Sequence, residues 1–145
     1  MGIRAASLVP VYCALSIVFI LTLMTAPDIT VFGIHNCDSI KKTRLWLEQR
    51  AIAYQFHDFR VDGLDSALLD WLIDAVGYEA LLNRRSTGWR QLTDEQKTGL
   101  DGEKAAALML AMPTLIKRPL IRHRGQFSVG RKIQDIIQTH HANHD

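Results

Sequence analysis

A strand, a helix and a second strand follow one another early in this chain, and that order constrains its fold more than any other feature. Ile29 to Gly33 (ITVFG) is a short β-rich run. Residues 38 to 51 place Ile40, Thr43 and Leu47 on one helical face, with Trp46 beside them. Tyr54 to His57 reads as a strand again. Two strands joined through a helix pair as parallel neighbours by a right-handed crossover. The first junction carries a cysteine, Cys37, in GIHNCDSIKK. A helix N-terminus offers unpaired N–H groups and the positive end of a dipole, and both favour a thiolate over a thiol. Asp38 or Ser39 can cap the helix, and Lys41 and Lys42 add positive potential one turn later. A thiolate is a nucleophile, whereas a thiol mostly is not. The plainer alternative is a small, buried, apolar cysteine.

The rest of the chain fills in the architecture. Asp62-Gly63 makes a turn, and Leu64, Leu68, Leu69, Leu72, Ile73 and Val76 recur at the spacing of a core-facing helix that Gly77 ends. A short helical piece (YEALLN), a polar turn (RRSTG) and a helix opened by Thr93-Asp94-Glu95-Gln96 come next. Glu103 to Ala111 is a further helix, with Pro113 just beyond it. Strands are expected at Thr114 to Ile116, Leu120 to His123 and Phe127 to Val129, with Arg124-Gly125 turning between the last two. A closing helix from Arg131 buries Ile133, Ile136 and Ile137. The order β-α-β, helical insertion, β-β-α predicts an α/β, thioredoxin-like fold, a small mixed sheet of about four strands with flanking helices.

At 145 residues and 48% apolar, the chain supports one domain with a substantial core. A net charge of +2 gives no argument for nucleic acid, and none is expected as a partner. Cys13 and Cys37 do not make a disulfide framework, and a lone cysteine in the folded part suits a reducing, cytoplasmic setting. His140, His141 and His144 read as a solvated C-terminus, since no cysteine or carboxylate cluster is spaced to complete a metal site. Residues 5 to 23 are uncharged and long enough to span a bilayer, with Arg4 before them. They fit a signal peptide, an anchor that would tether the domain to a membrane, or a start placed too early, with Met24 opening the domain. The last is favoured, which divides the chain into an apolar segment 1–24 and a domain 25–145.

Four blocks in order, VFGIHNCDSIKK, FHDFRVDGL, ALLNRRSTGWR and MPTLIKRPLI, resemble the arsenate-reductase-like (ArsC/Spx/MgsR) family. Within it the chain is most similar to a small, uncharacterised reductase branch called glutathione-dependent thiol reductases by analogy. The resemblance implies that Cys37 is the nucleophile. It implies that Arg118, in Lys117-Arg118-Pro119, binds an oxyanion or steadies the thiolate. Arginine suits that role, with its rigid fork for tetrahedral oxyanions and a charge that lowers a thiol pKa. A solvated edge-strand charge is the alternative. The resemblance further implies that Met112-Pro113 packs opposite the cysteine, its peptide isomer left open.

The departures from the family pattern narrow the expectation. Arsenate reductases of the glutaredoxin-linked type use three arginines. Here Asn83 stands at the first position, Arg118 is retained at the second, and Gly130, with Arg131 next, stands at the third. Whether arsenate is a substrate is therefore left open. An anion site made of the Cys37 loop (Asn36, Asp38, Ser39), Arg85 and Arg118 remains the expectation. Oxidant-sensing Spx regulators carry Cys-x-x-Cys, but Ile40 stands where the second cysteine would be. With no resolving cysteine there, Cys37 would attack an oxyanion or disulfide substrate, and glutathione or glutaredoxin would finish the cycle as co-substrate, with no bound cofactor. His35 is read as a solvent-facing loop residue, with proton transfer as its other role. The rival reading is a non-enzymatic, Spx-like regulator that contacts RNA polymerase through a basic surface including Arg84, Arg90, Arg122 and Arg124.

Overall fold

The computed structural model describes residues 26–142. Cys13, Met24, the apolar segment 5–23 and His144 lie outside the described residues. Among the described residues no helix is long and apolar enough to cross a membrane.

β1 (Ile29–Gly33) is buried along its whole length, because it is the inner strand of the crossover. It runs through a turn into α1 (Asp38–Gln49) and returns as β2 (Gln55–Asp58), parallel to β1, with Thr30 opposite Gln55 and Gly33 opposite Asp58. The sheet order is β2-β1-β3-β4, where β3 (Leu120–His123) and β4 (Gln126–Val129) form the antiparallel hairpin. α7 (Ile133–Ala142) closes the fold. Between β2 and β3 lies the helical insertion: α2 (Ser66–Val76), α3 (Tyr78–Leu81), α4 (Thr87–Gln91), α5 (Asp94–Lys97) and α6 (Gly102–Ala111). This is the thioredoxin-like arrangement expected from the element order.

Strand alternation divides the core between the two faces of the sheet. Val31 and Ile121 face α1 and α7, where they pack with Ile40, Leu47, Ile133 and Ile136. Phe32 and Leu120 face the insertion and meet Leu69, Leu72, Leu81 and Met109. The expected apolar face of α1 holds: Ile40, Thr43 and Leu47 are its buried residues.

Two local expectations are corrected. Thr114 to Ile116 is not a strand of the sheet. Pro113–Leu115 forms a 3-10 turn, and Ile116 makes an isolated bridge with Leu82. The main chain here pairs with the insertion, through Asn83 N–H to the Leu115 carbonyl at 2.7 Å and Lys117 N–H to the Leu81 carbonyl at 2.7 Å. Proline favours the first position of a helical turn, where its missing N–H costs nothing. The polar turn RRSTG also ends in a helix, α4, because the Ser86 hydroxyl accepts the Trp89 N–H and caps it.

Candidate functional site

The site is built around the β1–α1 junction. Cys37 is itself the N-cap of α1, in extended backbone, and its side chain makes no capping bond to the helix. Asp38 therefore does not cap the helix but is its first residue. Ser39 does not cap it either: its hydroxyl lies 3.1 Å from Cys37 Sγ. The turn before the cysteine is closed by Cys37 N–H to the Ile34 carbonyl at 3.0 Å. Gly33 lets the helix start approach the strand end, since a Cβ there would collide with the Ile40 side chain and lie 3.7 Å from the Arg118 stem.

Cys37 is half-buried and free of any disulfide. Burial pushes its thiol up, but the Ser39 hydroxyl, the N–H groups of Ile40 and Ser39 and the Arg118 charge outweigh burial and bring the pKa below the ordinary thiol value. The N–H groups at the start of α1 thus favour negative charge on the sulfur without a capping hydrogen bond to it.

Arg118 comes from the segment entering β3, and the Arg118–Pro119 peptide is cis. The proline at the site is therefore Pro119 and not Pro113: Pro119 lines the cleft beside Arg118, whereas Pro113 opens the 3-10 turn at the insertion. The cleft, about 500 Å³, is lined by Ser39, Lys42, Thr43, Arg118 and Pro119 on one side and by Gly130, Arg131, Lys132, Ile133 and Gln134 on the other. Gly130 has φ +68° and donates its N–H to the Pro119 carbonyl at 2.8 Å, which ties the turn after β4 to the Arg118 segment. Lys42, Arg118, Arg131 and Lys132 form no side-chain hydrogen bond or ion pair with another described residue. Four unpaired cations around a concave surface give the cleft a positive potential.

Of the residues expected from sequence, the structure joins Cys37, Ser39 and Arg118. Asn36 and Asp38 are exposed beside the cysteine. Arg85 is exposed on the loop after α3, where its N–H bonds Asn83 Oδ1 at 3.1 Å, and it does not line the cleft. Its place is taken by Arg131, Lys132 and Lys42, whose charges converge from the turn before α7 and from α1. Lys41, next to Lys42, points elsewhere on α1 and is absent from the lining.

Sequence reasoning missed Asp58. Its carboxylate is buried and takes hydrogen bonds from the His35 N–H at 3.0 Å, the His35 ring Nδ1 at 2.6 Å and the Arg60 N–H at 2.9 Å. Burial would push this carboxyl up, but those N–H groups and the His35 ring hold it below the usual carboxylate value. His35 is exposed, as expected, yet it is tethered. The available signal was the parallel crossover, which sets the end of β2 beside the loop leaving β1.

Among known proteins, the ArsC family model matches residues 32–139. The chain belongs to the ArsC family. An uncharacterized protein of Haemophilus influenzae is 44% identical over 102 residues, covering 70% of this chain and 90% of that protein. A solved structure of an arsenate reductase (ArsC) related protein from Brucella melitensis is 39% identical with a TM-score of 0.65, covering 79% of this chain and 94% of that one. The global transcriptional regulator Spx of Streptococcus agalactiae is 26% identical over 107 residues, covering 70% of this chain and 75% of the regulator. The family match supports a thiol-reductase-like role for the ArsC-family domain.

Proposed function

We propose that this ArsC-family protein is a cytoplasmic monothiol reductase that uses Cys37 as nucleophile and glutathione, or a glutaredoxin, as the electron donor. One observation carries the reading: a half-buried thiol drawn toward the thiolate at a helix N-terminus by Ser39 and Arg118, two residues that also line the cationic cleft, although Cys37 itself is not among its lining residues. Cleft volumes of about 300–1,000 Å³ are typical of small-molecule sites, so there is room for a substrate well beyond a lone tetrahedral oxyanion. Glutathione brings carboxylates for Lys42, Arg131 and Lys132, while its sulfur meets Cys37.

With a glutathione mixed disulfide, the Cys37 thiolate attacks the glutathione sulfur. The substrate S–S bond breaks, a Cys37–glutathione disulfide forms, and the substrate leaves as a thiolate that takes up a proton. A second glutathione thiolate then attacks the Cys37-bound sulfur, releases oxidised glutathione and restores the Cys37 thiolate. One disulfide is reduced and two glutathione moieties end as one disulfide, so electrons balance. Ser39 and the first N–H groups of α1 stabilise Cys37 as attacking and leaving group, and Arg118 favours negative charge at both.

The test is turnover of a glutathione mixed disulfide by the full chain, with Cys37 alkylation followed peptide by peptide across pH. Cys37→Ser is expected to abolish turnover with the fold intact. Turnover unaffected by Cys37→Ser, or a Cys37 titration at about 8.5 or above, would overturn the reading. Arsenate offered in the same assay decides whether an oxyanion is also reduced.

The likeness to Spx supports a second reading, a regulator that contacts RNA polymerase. Recovery of polymerase subunits on the immobilised full chain, with no thiol turnover, would favour it.

A further inference from the structure

The turn that carries Cys37 is held from behind. Its central residue, His35, gives both its main-chain N–H and its ring Nδ1 to the same oxygen of Asp58, at 3.0 and 2.6 Å. The other carboxylate oxygen accepts the Arg60 N–H at 2.9 Å, and the Asp58 main chain is fixed in turn by Asp62, whose carboxylate accepts the Asp58 N–H at 2.8 Å. One residue further, Phe59 N–H bonds the Gly33 carbonyl at 2.8 Å, which continues the parallel β1–β2 pairing up to the turn. Arg44 on α1 feels the same carboxylate charge. Among the described residues, the turn's main chain is otherwise closed by the Cys37 N–H to the Ile34 carbonyl.

We propose that Asp58 is a positioning residue for Cys37, acting through His35: one buried carboxylate clamps the turn and so holds Sγ where the Ser39 hydroxyl and the first N–H groups of α1 reach it. The inference rests on the nucleophilic role proposed for Cys37. The clamp needs a carboxylate, because an ionised one is acceptor-only and accepts on both sides at once. An amide of the same shape presents one oxygen and one NH2, so it must face either the Arg60 N–H or the two His35 donors with a donor of its own. Hydrogen bonds with an ionised acceptor are also about twice as strong as neutral ones.

The experiment is the pH profile of Cys37 alkylation, resolved by peptide, in the wild-type full chain, Asp58→Asn and His35→Ala. The His35 side chain is 56% exposed, so His35→Ala removes only the ring bond and spares the core. Asp58→Asn is expected to displace the profile to higher pH and slow alkylation at pH 6 about tenfold, with His35→Ala slowing it about threefold; a tenfold loss of thiolate corresponds to one pKa unit. Rescue by Asp58→Glu in part, with Asp58→Asn still folded by circular dichroism, marks positioning and not general damage. Profiles of both variants that superpose on the wild type overturn the proposal, and if Asp58→Asn does not fold, an unchanged His35→Ala profile overturns it alone. A wild-type profile with an unactivated thiol fells the nucleophile reading itself, whereas an activated wild type with unchanged variants fells only the clamp.

Discussion

The two flanks of Cys37 are built on opposite principles. Behind it, the buried Asp58 carboxylate has protein donors on both oxygens and ties down the 34–36 turn through the His35 N–H and ring Nδ1. In front of it, the cations of the cleft make no ion pair with a carboxylate among the described residues, and Lys42, Arg131 and Lys132 are exposed. A buried charge must be satisfied on folding, or it costs several kcal/mol. An exposed cation is hydrated at little cost and stays available. The saturated flank therefore fixes geometry, and the unsatisfied flank is where binding energy from outside can enter.

The comparison is broken most strongly on the saturated side. Asp58→Asn is expected to lower the stability at neutral pH by about 1.5–3 kcal/mol, the range for hydrogen bonds to a charged group. The sign follows from the depressed carboxyl pKa: the folded state holds Asp58 ionised more readily than the unfolded chain does. Its stabilisation is present in full above the unfolded carboxylate value of about 3.9 and is lost as pH falls through the lower folded value. Urea denaturation at pH 7 and at pH 2–3 should show wild type and variant converging in acid; an equal gap at both would contradict the assignment.

Arg118 belongs to both flanks, since its charge favours the thiolate and its side chain lines the cleft. Arg118→Ala is expected to raise the Cys37 pKa and to slow alkylation near pH 6 about threefold, which corresponds to about 0.7 kcal/mol. Stopped-flow alkylation against pH checks it. An effect of similar size belongs to the open flank alone. Arg131→Ala with Lys132→Ala should leave that pH profile in place and raise KM for an anionic mixed disulfide about threefold, consistent with exposed ion pairs worth about 0.2–1 kcal/mol. The same KM should rise with salt in the wild type and less so in the double variant. A changed profile with an unchanged KM would reverse the roles given to the two flanks.

Much of this was legible in local patterns. The apolar spacing of Ile40, Thr43 and Leu47 set the buried face of α1, and the alternation in β1 set which side chains reach each layer. Cys37 at a strand–helix junction was visible because a helix start is written locally. Ser39 was legible as a helix-start residue but not in its role, because an Oγ near the N-terminus can serve either the main chain or a neighbouring sulfur. The resemblance put Pro113 by the cysteine, whereas the folded chain sets Pro113 in a 3-10 turn at the insertion and Pro119 in the lining of the cleft. Arg85 was expected in the anion site, while Arg131 was noted only as the neighbour of Gly130. Asn83 and Arg85 leave α3 on a loop of the insertion, while the turn closed by Gly130 N–H on Pro119 brings Arg131 to the cleft.

By itself, then, the sequence determined the β-α-β opening, the helical insertion, the hairpin and a cysteine at a helix N-terminus, because hydrophobic period and turn chemistry act over a few neighbouring residues. Only the tertiary structure decided which charges gather at that cysteine's turn and in the cleft beside it. Asp58 reaches His35 through the parallel register that sets Gly33 opposite Asp58, and Lys42, Arg118, Arg131 and Lys132 converge from separate stretches of the chain. Electrostatic partnership depends on distance in space, and spacing along the chain fixes that distance only within a single element.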